Sequence, residues 1–107
     1  MTTLHTVNKF SLTSSALDSC LRVALPGDAI LLMEDGVYNA VGASLASDDA
    51  GINVETRSTA SIGIYALKED LQARGIAHDS LPSSIEPVSY ADFVTLVCTH
   101  HKTVSWF

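Results

Sequence analysis

Positive charge is scarce in this chain. Its six basic residues, Lys9, Arg22, Arg57, Lys68, Arg74 and Lys102, are scattered among twelve acidic ones and leave a formal net charge of −6 with a pI near 4.8. Gripping a phosphate backbone takes clustered Lys and Arg that displace counterions, so no direct nucleic-acid contact is expected. Glycine is missing where a nucleotide site would need it. The turn after the first predicted strand reads Asn8-Lys9-Phe10-Ser11-Leu12-Thr13, which excludes both the glycine-rich dinucleotide fingerprint and a P-loop. Ser11, Thr13, Ser14 and Ser15 are only a faint echo of a flavodoxin-type phosphate loop and suit helix capping better. No cofactor is expected.

Cysteine is nearly absent too. Cys20 and Cys98 lie far apart and form no CxxC, so in a reducing compartment both are expected as free thiols. Of the four histidines, His5, His78, His100 and His101, none stands at i, i+4 from a second ligand on a helix, and no metal site is expected. His100 and His101 close the last predicted helix, where a cation complements the macrodipole. Asp48-Asp49 falls in a polar stretch and reads as solvated charge. No run approaches the roughly 20 apolar residues that cross a bilayer. The start, Met1-Thr2-Thr3-Leu4-His5, has neither the basic nor the apolar part of a signal peptide. The expected location is the cytoplasm, with no membrane contact.

What remains is a short and unusually apolar chain. Its 107 residues are 47% hydrophobic and only 17% charged, with a mean hydropathy of +0.25. That length supports a single domain over residues 1–107 with one core. The thin charge predicts that part of the apolar surface meets a partner.

Thr3 to Val7 is a short β-branched strand. Thr13 to Ala24 has helical spacing, with Ser15 and Asp18 as a capping box and Leu17, Cys20, Leu21 and Ala24 as an apolar stripe. Pro26-Gly27 ends it. Ala29 to Met33 is unbroken and apolar, the pattern of a parallel strand covered on both faces. Asp35 caps a short helix through Val37, Tyr38, Ala40 and Val41, and Ser44 to Thr59 reads mostly as loop, with a possible short helix at 43–46. Ser61 to Ala66 is a third strand, and Leu67 to Arg74 a helix stopped by Gly75. Pro82 to Pro87 reads as a turn region. Ser89 with Asp92 opens a last helix on which Phe93, Val94, Val97 and His101 share a face, and Thr103 to Phe107 forms the closing strand. The alternation predicts an α/β, three-layer Rossmann-like fold with an open, mostly parallel sheet of four or five strands and helices on both faces.

A thiol is the obvious nucleophile in the sequence, because a low-pKa thiolate carries sulfur as a persulfide. Cys20 lies mid-helix between a bulky side (Leu17, Leu21, Leu25) and a small side (Ala16, Val23, Ala24). It is either a small core residue or a thiol facing a cleft. Cys98 reads as packing. Trp106 is the candidate anchor, on the sheet edge or across a subunit contact, because a terminal segment stays ordered only when something ties it down.

Several stretches together resemble the DsrH/TusB family nearly end to end. They are Leu4-His5-Thr6-Val7-Asn8-Lys9, Pro26-Gly27-Asp28 with its apolar strand and Glu34-Asp35-Gly36-Val37-Tyr38, Tyr65 to Gly75, Tyr90-Ala91-Asp92-Phe93-Val94, and Ser105-Trp106. The resemblance implies a Rossmann-like fold shared with DsrE/TusD-like and DsrF/TusC-like subunits in a heterohexamer. Such complexes pass persulfide sulfur to a small DsrC/TusE-type acceptor, for tRNA wobble 2-thiouridine in the TusBCD branch and for dissimilatory sulfur oxidation in the DsrEFH branch. It further implies that the principal persulfide cysteine belongs to the DsrE/TusD subunit. A cysteine in the first helix is associated with the DsrH side, so Cys20, as a candidate persulfide carrier, tilts the expectation toward DsrH. The alternatives are a TusB-type subunit and a non-catalytic scaffold in which Cys20 is core.

Overall fold

The computed structural model describes residues 2–10, 15–40, 62–82 and 84–107. Five strands run in the order β1 (Thr3–Val7), β2 (Ala29–Leu32), β3 (Gly63–Leu67), β4 (Ile85–Val88) and β5 (Lys102–Trp106). They form one sheet in the spatial order β4-β3-β2-β1-β5, and each neighbouring pair is parallel. The apolar segment beginning at Ala29 is therefore the middle strand, as its lack of any polar face demands. All four of its residues are buried.

Alternation along the strands divides the core in two. Val7, Ile30, Leu32, Ala66 and Ile85 point to one face, where they meet Ala16, Leu17, Cys20 and Leu21 of helix α1 (Ala16–Val23), Val37 and Ala40 of a 3₁₀ segment (Glu34–Ala40), and Leu71 of α2 (Lys68–Ala73). Leu4, Ala29, Leu31 and Val88 form the other cluster, closed by Tyr65 and by Phe93 and Leu96 of α3 (Tyr90–Thr99). The expected three-layer α/β fold is what the chain adopts.

Local signals explain most boundaries. At the start of α3, Ser89 Oγ accepts from the Asp92 amide at 3.2 Å and Asp92 Oδ2 accepts from the Ser89 amide at 3.1 Å, a complete capping box. Gly75 adopts φ +70, and the amides of Gly75 and Ile76 donate to the carbonyls of Gln72 and Leu71 at 3.1 and 2.9 Å. This is a Schellman closure of α2. At Gly36 the chain passes so close to β1 that an added Cβ would stand 2.0 Å from the Val7 carbonyl oxygen.

Four expectations are corrected. The Pro82–Pro87 region is not all turn, because Ile85–Val88 forms β4 with Pro87 opposite Ala66. Proline is tolerated there because β4 is an edge strand that need not donate outward. Ser15 makes no side-chain cap bond to α1, so only the second of the two capping boxes exists. Leu25 is 65% exposed rather than in the core, because α1 stops at Val23 and Ala24 turns to extended backbone. The inward face of α3 is Phe93 and Leu96, while Tyr90, Val94 and Val97 are exposed. The expected loop at 44–59, the short helix at 43–46, Asp48-Asp49 and Thr13-Ser14 lie outside the described residues.

Two glycines make opposite demands that mutation separates. Gly36→Ala is expected to cost about 2–3 kcal/mol, because the Val7 backbone must be pushed aside. Gly75→Ala meets nothing within 4 Å and should cost only about 1 kcal/mol for its left-handed backbone. Urea unfolding midpoints of the two variants check this ranking.

Candidate functional site: a buried cysteine beside an aspartate, histidine and tryptophan network

The two residues singled out in the sequence, Cys20 and Trp106, come together under one face of the sheet. Cys20 faces inward on α1 with Ala16, Leu17 and Leu21 and is 0% exposed. The cleft that a sulfur carrier needs on the small side of this helix is not open here. Ala16 is itself buried, and Val23 faces away at the helix end. Burial, reinforced by the charge of Asp28, pushes the Cys20 thiol up to about 12. At neutral pH it is a protonated thiol and a poor nucleophile. Cys98 corrects the other expectation, for it is exposed on α3 rather than packed.

Asp28 is the centre of the arrangement. It follows Gly27, which turns the chain at φ +92, and its carboxylate is buried where the first three strands begin to pair. Oδ1 accepts from the Thr3 amide at 3.0 Å, and Oδ2 accepts from the Leu25 amide at 3.0 Å and stands 3.0 Å from His5 Nε2. Burial alone would raise the Asp28 carboxyl. The Leu25 amide, the His5 ring and the Thr3 amide outweigh it and hold the group below its ordinary value.

The tautomer of His5 follows from its neighbours. The Trp106 indole nitrogen lies 3.1 Å from His5 Nδ1, and an indole N–H can only donate. Nδ1 is therefore bare, and the ring proton is on Nε2, donated to the Asp28 carboxylate. An Asp–His pair invites a catalytic reading, but the nitrogen that would serve as base is occupied by Trp106. Trp106 itself lies half-buried on the edge strand β5, with its ring 6.2 Å from that of His5.

In open α/β sheets ligands collect at the carboxyl ends of the strands, where the strand order reverses. Here the reversal falls between β1 and β5. The carboxyl end of β1 carries Asn8, whose amide donates to the Trp106 carbonyl at 3.4 Å and whose Nδ2 donates to Glu34 Oε1 at 3.2 Å. Glu34 has φ +50, and its amide donates to Asp70 Oδ2 at 2.6 Å. Arg74 bridges Asp35 and Asp70. Cys20 is not part of this set. A hollow of about 200 Å³ lies between β3, β4 and α3 and is lined by Tyr65, Glu86, Val88, Asp92, Thr95 and Leu96, with no thiol among them. No group of three or more His, Cys, Asp or Glu among the described residues is placed to hold a metal ion. No helix of the described residues is long and apolar enough to cross a membrane.

A family profile described as "DsrH like protein" matches residues 10–103. The chain belongs to the DsrH/TusB family. The TusB protein of Enterobacter sp. (strain 638) is 37% identical over 103 residues, covering 96% of this chain and 99% of that one. The TusB protein of Escherichia coli O139:H28 is 38% identical over 104 residues with the same coverage. The crystal structure of the Escherichia coli ychN protein superposes with a TM-score of 0.70 at 18% identity, covering 98% of this chain and 99% of that one, and shares the fold. Membership implies a place as a subunit of a multi-component sulfur-relay complex.

Sequence reasoning singled out Cys20 and Trp106 but not His5 and Asp28, which form the buried hydrogen-bond network beside them. The available signal was a charged residue directly before a wholly apolar strand, a position where an acid survives only if its lone pairs are satisfied.

Three outcomes are expected. In the native chain Cys98 reacts with an alkylating agent at least about a hundredfold faster than Cys20, which is labelled only on unfolding; peptide mass mapping over time reads the difference. Cys20 ionises from 9.0 in the unfolded chain but only near 12 when folded. Its contribution to stability is therefore complete below pH 9.0 and is lost as pH rises toward 12. For Asp28, whose folded carboxyl is lowered, the sign is opposite. Its stabilisation is present above the ordinary carboxylate range and is lost as pH falls through the folded value. Asp28→Asn should cost about 2 kcal/mol at neutral pH, a difference from the parent that shrinks in acid.

Proposed function

We propose that this chain is the TusB-type subunit of a cytoplasmic sulfur-relay complex serving tRNA wobble 2-thiouridine synthesis, and that it acts as a scaffold rather than as a sulfur carrier. Its companions in this reading are DsrE/TusD-like and DsrF/TusC-like subunits in a heterohexamer, with persulfide passing from a companion to a DsrC/TusE-like acceptor. The observation that carries the scaffold reading is the state of Cys20, fully enclosed and with its thiol raised to about 12. Attack on a donor's outer sulfur needs a reachable thiolate, and this side chain is neither reachable nor ionised. The branch reading rests on the curated relatives, which carry the name TusB. The cysteine that tilted the sequence toward DsrH loses its weight once it is a core residue.

Assembly finds support in the apolar side chains left outside. Tyr90, Val94 and Val97 stand on one side of α3 with exposures of 51%, 61% and 40%, spaced as a helix presents a contact stripe. Trp106 remains the candidate interface residue, half-buried on an edge strand and packed on the opposite face of the sheet from α3.

Co-expression with the two paralogous subunits, loading with a persulfide donor and peptide mass mapping test the proposal. The expected result is no reductant-sensitive sulfur adduct on Cys20, and transfer to the acceptor within about twofold of normal in Cys20→Ala, since a buried thiol adds no nucleophile. Val94→Asp should weaken assembly by placing an unpaired charge in an apolar contact. An adduct on Cys20 together with loss of transfer in Cys20→Ser would mean that α1 opens in the complex and that Cys20 is a carrier.

A further inference from the structure

His5 and Trp106 meet in a way that depends on one proton. The indole nitrogen only donates, so its 3.1 Å approach to His5 Nδ1 requires that nitrogen to be bare. Nε2, 3.0 Å from Asp28 Oδ2, already carries the single proton of the neutral ring. A second proton can go only to Nδ1, where it would face the indole N–H donor to donor. Turning the ring over gives no relief, because both nitrogens of an imidazolium are donors. The ion pair with Asp28 would meanwhile strengthen, so the side chain that must yield is Trp106.

We propose that His5 is a proton-operated latch for the C-terminal edge strand: the neutral ring holds the Trp106 indole inward, and the protonated ring releases it. The setting suits such a device. His5 is 4% exposed, but Trp106 is only half-buried on a strand that, among the described residues, has no neighbour on its outer side. Its departure both opens a path for solvent protons and leaves β1, β2 and the Asp28 contacts in place. The Trp106 carbonyl accepts from the Asn8 amide across a long 3.4 Å bond.

Few charged groups compete for the same proton. From the connection before β2 comes Asp28, and from α1 comes Cys20, a neutral thiol. The facing residue of β2, Ile30, is apolar. On β5 the single charged residue, Lys102, pairs with Thr3 at the far end of the strand. The latch thus reduces to one ring between a buried acceptor, Asp28, and a donor-only indole that can leave.

Trp106 is the sole tryptophan of the chain, which makes the test direct and independent of the scaffold reading. The full chain, alone or within its complex, is labelled with ¹⁵N in the indole of this chain and in its histidine rings, and followed by NMR from neutral to acid pH. At neutral pH the His5 spectrum should show a bare Nδ1 and a protonated Nε2. The indole N–H resonance, shifted by its bond to His5, should return toward its free position with the same midpoint as the His5 ring. Trp106→Phe, which removes the donor facing Nδ1, should leave the neutral His5 ring no longer confined to a bare Nδ1. His5→Gln should leave the indole resonance without that transition. An indole signal that ignores the His5 titration overturns the latch, as does a neutral ring protonated at Nδ1. Loss of the dispersed core methyl signals at the same midpoint overturns it as well, since the ring would then titrate through unfolding and not through release of Trp106.

Discussion

A single buried carboxylate orders this small domain. Asp28 must be satisfied inside the protein, because an ionised acid without donors is too costly to bury. The donors it uses come from the start of β1, from the end of the α1 connection and from the middle of β1. Each fixes one piece of chain relative to the others. The Thr3 amide sets where β1 begins opposite β2, and the Leu25 amide turns the chain after α1. His5 carries the constraint one step further, to β5 through Trp106. The edge strand, added last and from the far side of the sheet, is thereby tied to a charge placed before the central strand.

The same carboxylate shapes the chemistry available to Cys20. A persulfide carrier needs a thiolate, and a thiolate needs water or positive charge close by. Cys20 has a carboxylate for a neighbour and the apolar side chains of α1 and the sheet around it. Stabilising the strand order with a buried anion and activating a thiol beside that anion are incompatible demands. The fold takes the first. A cysteine in the right helix is thus no indication of sulfur transfer until its surroundings are known, and here burial, together with the Asp28 charge, disfavours the thiolate.

The layers were legible in the sequence because they depend on runs and periods. The unbroken Ala29–Met33 stretch located the central strand, and the Ser89/Asp92 and Gly75 signals located two helix ends. What stayed hidden depends on position in the sheet rather than on local pattern. Pro87 argues against a strand everywhere except at an edge, and whether β4 is an edge is a tertiary fact. The inward face of α3 was misassigned because both of its sides are apolar, so spacing could not choose between Phe93 with Leu96 and Val94 with Val97. The site was less legible still. Asp28 and His5 lie 23 residues apart, and His5 and Trp106 lie 101 apart; nothing local announces that a donor-only indole will meet a bare imidazole nitrogen.

That second, apolar side of α3 bears on why the family works in assemblies. A helix packed on a sheet by two large side chains keeps its outer face polar if it is to stay in water. Here the outer face presents a tyrosine and two valines, and Cys98 is exposed on the same helix. With charged residues at only 17% of the chain, there is little to offset that apolar exposure. Covering it by another subunit removes apolar area from water without burying a charge, the condition under which association is favourable. The buried carboxylate on one side of the sheet thus fixes the fold of the subunit, while on the other side α3, whose one charged residue, Asp92, is taken up in its own capping box, turns an apolar stripe outward.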